Sequence, residues 1–316
     1  MCYLQNSLET FLGRNYYSSF ILTALKGISQ VLFIENAVSG MIILFGIAIY
    51  SPELALIAFA SSLIGTLIGY YGGANEIEVE KGIFAFNSVL TGVALLIFMQ
   101  GENRWLLALA GAAAAAILTA ALMQLLKEFN LPVLTFPFIM LTWIILLSSY
   151  RLKSFHLSPT LTPQSLSTWN LDIEGQPELL EGLFKGISEV FLFDYFWSGV
   201  FILIGIFWAG WKYGLFTILG TGTSWLIAYS LGADIKLINM GLYSYNAVLT
   251  VIAVGFTYSP HRRAIPFAGL LAAIITVPVT ASIDTWLLPF GLPPLSMPFV
   301  LCSWLFICAR RMLPDL

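Results

Sequence analysis

Gln30 and Glu189 are the side chains whose type and placement most suggest chemistry. They stand fifth in matching runs, Lys26-Gly27-Ile28-Ser29-Gln30-Val31 and Lys185-Gly186-Ile187-Ser188-Glu189-Val190, five identities in six at an offset of 159 residues (185 − 26). One ends in an amide and the other in a carboxylate, and both present an oxygen that accepts hydrogen bonds. At helical spacing Phe33 lies one turn beyond Gln30, and Leu192 one turn beyond Glu189. Each copy thus sets a polar acceptor on the face of a bulky apolar chain. Phe86 with Leu90, and Tyr245 with Leu249, share a second face at i, i+4. Thr135 and Ser296 add a hydroxyl each, two residues before Pro137 and Pro298. A line of oxygens walled by rings and branched chains suits a small, flat, neutral solute that donates several N–H groups. An ion would need a ring of charges or carbonyls instead.

Other chemistries find little support. No nucleophile–base set is visible, so no enzyme activity is expected. His156 lies in a polar connection and His261 beside Pro260, outside the apolar spans, which argues against haem, metal or histidine chemistry inside a membrane. Cys2, Cys302 and Cys308 are an odd set without metal-ligand spacing, expected to be small buried apolar residues plus one terminal thiol. No cofactor or metal is therefore expected. For Glu189 an ion pair with Lys185, one helical turn back, stands as the structural alternative. Asn87 and Asn246 recur at equivalent places and read as structural hydrogen bonds to a broken helix end. Glu35 and Asp194 are also equivalent and read as capping or salt-bridge groups. Glu76, Glu78 and Glu80 alternate in what reads as a solvated connection, and the alanines at 112–116 as a close-packing helix face.

The elements that must position these residues belong to a membrane. Hydrophobic residues make up 59% and charged ones 10% of the 316 residues, and mean hydropathy is +0.87, far from a soluble balance. Residues 54–71, 105–126 and 263–281 are apolar over lengths that cross a hydrocarbon core about 30 Å thick. The unbroken alanine run favours helices over barrel strands. Residues 1–15 lack the layout of a cleavable signal. The net charge of −3 and the absence of a basic cluster give no nucleic-acid partner.

The chain divides into a first membrane repeat (1–150), a connector rich in Ser, Thr and Pro (151–176) and a second repeat (177–316), together one pore-forming unit. Gly82-Ile83-Phe84-Ala85-Phe86-Asn87-Ser88-Val89-Leu90-Thr91 matches Gly241-Leu242-Tyr243-Ser244-Tyr245-Asn246-Ala247-Val248-Leu249-Thr250 at the same offset as the first pair. Two residues later in register, Pro132, Leu134, Pro137, Phe138 and Trp143 match Pro293, Leu295, Pro298, Phe299 and Trp304. Apolar stretches run at 39–50, 54–71, 82–99, 105–126 and 134–147, echoed at 198–208, 213–231, 241–255, 263–281 and 295–308. This predicts an all-α polytopic membrane protein with about five transmembrane helices per repeat. An odd number inverts the second repeat relative to the first, with the site at their interface. The segments 16–34 and 184–193 put polar residues at membrane depth and read as one re-entrant, pore-lining piece per repeat. An even total of spans puts both termini on one side. Arg310 and Arg311 favour the cytoplasm for that side, against a weaker pull from Arg151 and Lys153.

The paired motifs KGISQV/KGISEV, GIFAFNSVLTG/GLYSYNAVLTV and LPVLTFPF/PPLSMPF resemble those of the urea transporters in a bacterial-sized version, from about residue 23 to 309. The resemblance implies passive, channel-like permeation of urea in the bacterial inner membrane. It also implies a homotrimer embedded in the bilayer, with one pore per protomer. Carried over, Gln30 and Glu189 would be acceptors at the two mouths of the filter, with Phe33 and Leu192 as spacers below them. Phe86, Leu90, Tyr245 and Leu249 would sandwich the solute, and Thr135 and Ser296 would occupy the narrow centre. Serine at 296 where threonine is expected, and the hydroxyl of Tyr245 opposite Phe86, depart from the pattern. An ion-coupled secondary transporter, or a channel for another small neutral solute such as ammonia, are the competing readings.

Overall fold

The computed structural model describes residues 16–152, 155–167, 170–171, 173–258 and 265–313. Cys2, Lys153, His261, Arg263 and the segment 1–15 lie outside the described residues.

The first half runs α1 (Tyr16–Gln30), α2 (Ala37–Tyr50), α3 (Pro52–Tyr71), α4 (Glu76–Glu80), α5 (Phe86–Phe98), α6 (Arg104–Lys127) and α7 (Phe136–Ser148). The second half follows the same order with α8 (Leu179–Ser188), α9 (Phe196–Ala209), α10 (Trp211–Ser230), α11 (Ile235–Met240), α12 (Tyr245–Ile252), α13 (Ile265–Leu287) and α14 (Met297–Met312). Local chemistry sets the helix starts. The Asn36 side chain accepts from Ser39 N–H at the head of α2. Ser51 caps α3 ahead of Pro52 at the first position, and Asn75 and its equivalent Asp234 cap the short α4 and α11.

The molecule is a multi-pass integral membrane protein. Among the described residues, Pro52–Tyr71, Arg104–Lys127 and Phe267–Phe290 are long and apolar enough to cross a bilayer alone. The pair Leu179–Phe191 and Phe196–Ala209, bent by 75°, forms a fourth candidate. Two expected spans start later than the apolar runs suggest: α5 has 13 residues within the run 82–99, and α12 begins at Tyr245 within the run 241–255. At α5 and α12 the reason is visible. Gly82 (φ +78°) and Gly241 (φ +87°) adopt the left-handed backbone, so helix begins four residues later, at Phe86 and Tyr245.

Two expectations about connections change. Residues 76–80 form a helical turn, with Glu76 and Glu80 exposed as a solvated segment requires. The connector is tied down as well as polar. His156–Leu157 pairs antiparallel with Met99–Gln100, Ser158 N–H donates to Phe98 O at 2.8 Å, and Gln164 N–H donates to Leu288 O at 3.1 Å. Cys302 is buried, but Cys308 lies on the outer face of α14.

The matched motifs meet in space. A Cβ on Gly82 would lie 2.6 Å from the Gly27 nitrogen, and one on Gly241 2.3 Å from the Gly186 nitrogen. The first two motif blocks of each half are thus pressed backbone to backbone, which only glycine permits. The alanine run on α6 does pack: Ala112, Ala115 and Ala116 are buried, and Ser88 Oγ donates to Ala112 O at 2.7 Å.

Candidate filter between the two halves

The halves meet through reciprocal contacts. Ser198 Oγ on α9 donates to Gly46 O on α2 at 2.7 Å, and Gly46 and Gly205 each lie against the opposite helix. Trp143 Nε1–H on α7 donates to Pro293 O at 3.0 Å, while its equivalent Trp304 on α14 donates to Pro132 O at 2.8 Å. Between them Thr135 and Ser296, equivalent residues that begin α7 and α14, share a hydrogen bond at 2.7 Å. Contacts of i to j′ and i′ to j are the pattern a two-fold relation produces.

Around this junction the chain holds four leucine and phenylalanine residues in the left-handed region. Phe33 (φ +58°) and Leu192 (φ +69°) are one equivalent pair, and Leu134 (φ +50°) and Leu295 (φ +48°) another. Such a backbone costs each residue about 1–2 kcal/mol and persists only where the surroundings over-determine it. Here the restraints are explicit. Ser29 Oγ lies 2.7 Å from Ile34 O and accepts from Asn36 N–H at 3.3 Å, tying the end of α1 across Phe33 to the cap of α2. Ser188 makes the second of these bonds in the other half, accepting from Tyr195 N–H at 3.0 Å. The serine of each KGIS run is therefore a clip for the chain reversal.

That reversal corrects one expectation. α1 ends at Gln30, and Glu189 opens a 3-10 turn that ends in Leu192. Phe33 and Leu192 do not share a helical face with their polar partners; each is itself the left-handed residue at which the chain turns after the helix. Phe33 then stands between the halves, its ring 6.0 Å from Phe86, 5.4 Å from Phe299 and 6.1 Å from Tyr258. Leu192 is half-buried against the same apolar core. By contrast Phe86 with Leu90, and Tyr245 with Leu249, share faces in the first turns of α5 and α12 as expected, all buried in the cluster that contains Phe33.

Gln30 is 7% exposed, and among the described residues its Oε1 has no hydrogen-bond partner. A buried acceptor left empty costs about 1–3 kcal/mol and gains that much from a donor. Glu189 is half-buried. The alternative partner turns elsewhere: Lys185 forms its ion pair with Glu181. Glu35 pairs with Lys81 at 3.6 Å near the surface, in line with a salt-bridge role.

Asn87 and Asn246 are fully buried and bond to the starts of α7 and α14, though differently. Asn87 Nδ2–H donates to Leu134 O at 3.2 Å. In the second half Tyr245 Oη–H takes the equivalent Leu295 carbonyl, and Asn246 Oδ1 accepts from Phe299 N–H at 3.1 Å. The hydroxyl that distinguishes Tyr245 from Phe86 thus replaces an asparagine bond. Leu134 and Leu295 are absent from the residues picked by spacing, because a leucine in left-handed backbone carries no mark in sequence. The available sign was their place just before Thr135 and Ser296 in a repeated motif.

The arrangement sets the Thr135 and Ser296 hydroxyls and the Gln30 oxygen among rings and branched chains. It holds no cluster of His, Cys, Asp and Glu among the described residues that could bind a metal ion. The family profile described as "Urea transporter" matches residues 21–311. Among curated proteins, Urea transporter 1 of Ovis aries is 28% identical over 304 residues, covering 94% of this chain and 79% of that protein. Urea transporter 1 of Capra hircus matches to the same extent. Urea transporter 1 of Rattus norvegicus is 26% identical over 299 residues, covering 92% of this chain and 77% of that protein.

Proposed function

The chain belongs to the urea transporter family, and on that premise we propose that it conducts urea passively through a filter at the junction of two inverted repeats. The observation that carries the reading is the convergence of equivalent residues on the Thr135–Ser296 hydrogen bond, with Phe33, Phe86, Leu90, Tyr245 and Leu249 in one buried cluster beside it. The reciprocal tryptophan and glycine contacts support a two-fold relation between the repeats. Gln30 and Glu189 are the acceptors at the two mouths. Phe33 and Leu192 are the spacers that narrow the slot below them. The faces of Phe86 with Leu90 and Tyr245 with Leu249 admit a flat molecule, while Thr135 and Ser296 exchange hydrogen bonds with it at the centre.

Energetics favour urea over ions. Urea presents four N–H donors and one carbonyl, each costing about 1–3 kcal/mol if desolvated without a partner. Free oxygens such as Gln30 Oε1 offset that cost. A bare ion loses far more hydration than this wall returns. Binding must stay shallow for flux, so affinity is weak. The chain functions as a homotrimer in the bacterial inner membrane with one pore per protomer and both termini cytoplasmic.

The test is urea flux into proteoliposomes by stopped-flow light scattering, with and without an imposed Na⁺ or proton gradient. Fast equilibration independent of either gradient is expected. Flux that follows a gradient would favour ion coupling, for which Glu189 is the candidate group, and no urea flux would overturn the substrate.

A further inference from the structure

We propose that Trp143 and Trp304 are positioning residues that set the width of the filter's centre, each acting from one half on the strained loop of the other. The inference rests on the pore reading above and adds residues that contact no solute.

The loops in question are Pro132 to Thr135 and Pro293 to Ser296. Each contains a left-handed leucine immediately before the central hydroxyl residue. A backbone of this kind relaxes unless it is held from more than one side. Within its own half, each loop accepts from a side-chain donor: Asn87 on Leu134 O, and Tyr245 on Leu295 O. The second hold comes from the other half, as the indole N–H of Trp304 on Pro132 O and of Trp143 on Pro293 O. Trp304 also sets its ring 5.2 Å from that of Phe136, edge to face. It therefore grips the loop on both sides of Thr135.

The crossing gives these bonds their consequence. A bond within one half shapes a loop but says nothing about the distance to the other. The two indole bonds span the interface, flanking the 2.7 Å hydroxyl pair, so they fix the separation of α7 and α14 at their starts. Losing one frees a carbonyl and lets its loop draw back from the opposite half. The narrow centre then admits solutes that are wider than urea but carry the same hydrogen-bonding groups.

The experiment compares full-length wild type with Trp143→Phe and Trp304→Phe, which keep an aromatic ring but remove the N–H donor together with part of the indole's volume. Each is reconstituted at equal amounts of monodisperse protein, and fluxes of urea, N-methylurea and thiourea are measured. The expected result is a rise of about fivefold in the N-methylurea-to-urea flux ratio in each variant, the equivalent of one lost hydrogen bond. A ratio unchanged from wild type overturns the proposal, whether urea flux stays normal or falls in proportion for every solute. Failure of both variants to fold would also overturn it, by assigning the tryptophans to assembly. Wild-type protein that conducts no urea would instead refute the pore reading. The two failures are therefore distinct.

Discussion

Replacing Ser29 by alanine removes the clip that holds Phe33 between the two halves. Its hydroxyl reaches Ile34 O at 2.7 Å and accepts from Asn36 N–H at 3.3 Å, and both residues are buried. Removal leaves two backbone groups unpaired. Side-chain hydrogen bonds in membrane proteins measure about 0.6 kcal/mol on average, but an orphaned buried group costs about 1–3 kcal/mol. Taking about 1–1.5 kcal/mol for each gives a loss of about 2–3 kcal/mol for Ser29→Ala. Ser188→Ala releases one such group, Tyr195 N–H, and should cost about half as much. The left-handed Phe33 loses its restraint at the same time, so urea flux should fall further than the stability loss alone would produce. The assay is equilibrium unfolding in mixed dodecyl sulfate micelles followed by circular dichroism, paired with urea flux in proteoliposomes. Equal stability losses in the two variants, or a loss below about 0.5 kcal/mol in Ser29→Ala, would refute the reasoning that the clip holds the reversal.

Two further outcomes are expected. Gln30→Ala and Glu189→Ala should each lower urea flux about tenfold while leaving the helical circular dichroism spectrum unchanged, since they remove acceptors rather than packing; full flux in both would take these residues out of the filter. Gly40→Ala and Gly199→Ala would place a Cβ 1.9 Å from the Leu25 and Phe184 carbonyl oxygens. These are backbone atoms with no room to yield, so each variant should lose at least about 3 kcal/mol, and accumulation of either at wild-type levels would contradict the packing of α1 on α2 and α8 on α9.

The duplicated motifs made much of this architecture legible. Repeats at a constant offset identified paired segments, and those segments do contact one another, Gly27 on Gly82 and Gly186 on Gly241. Glycine can be read from sequence because its physical advantage, an absent Cβ, has a strict structural use. The shared faces on α5 and α12 were legible for a similar reason. A regular helix carries i and i+4 to one face whatever surrounds it.

Helical periodicity failed where the helix itself ends. Phe33 and Leu192 were placed on a helical face by counting, whereas a left-handed turn presents them. That turn depends on Ser29 and Ser188 reaching groups five to seven residues along the chain, and on the packing that makes the strained conformation the lowest available. At 82–99 and 241–255 the apolar runs likewise began before the helix does. Hydropathy records solubility in the bilayer but not where a glycine or proline interrupts the backbone.

The sequence by itself determined that this is a duplicated, membrane-embedded chain, which residues are equivalent, and which of them carry oxygens. Those properties are local or compositional and survive without a fold. Only the tertiary structure decided that Thr135 meets Ser296, that Tyr245 displaces an asparagine from the Leu295 carbonyl, and that each half holds the other's loop through a tryptophan. These contacts join residues that are 50 to 172 positions apart. Their distances follow from how two bundles pack, which no local propensity encodes.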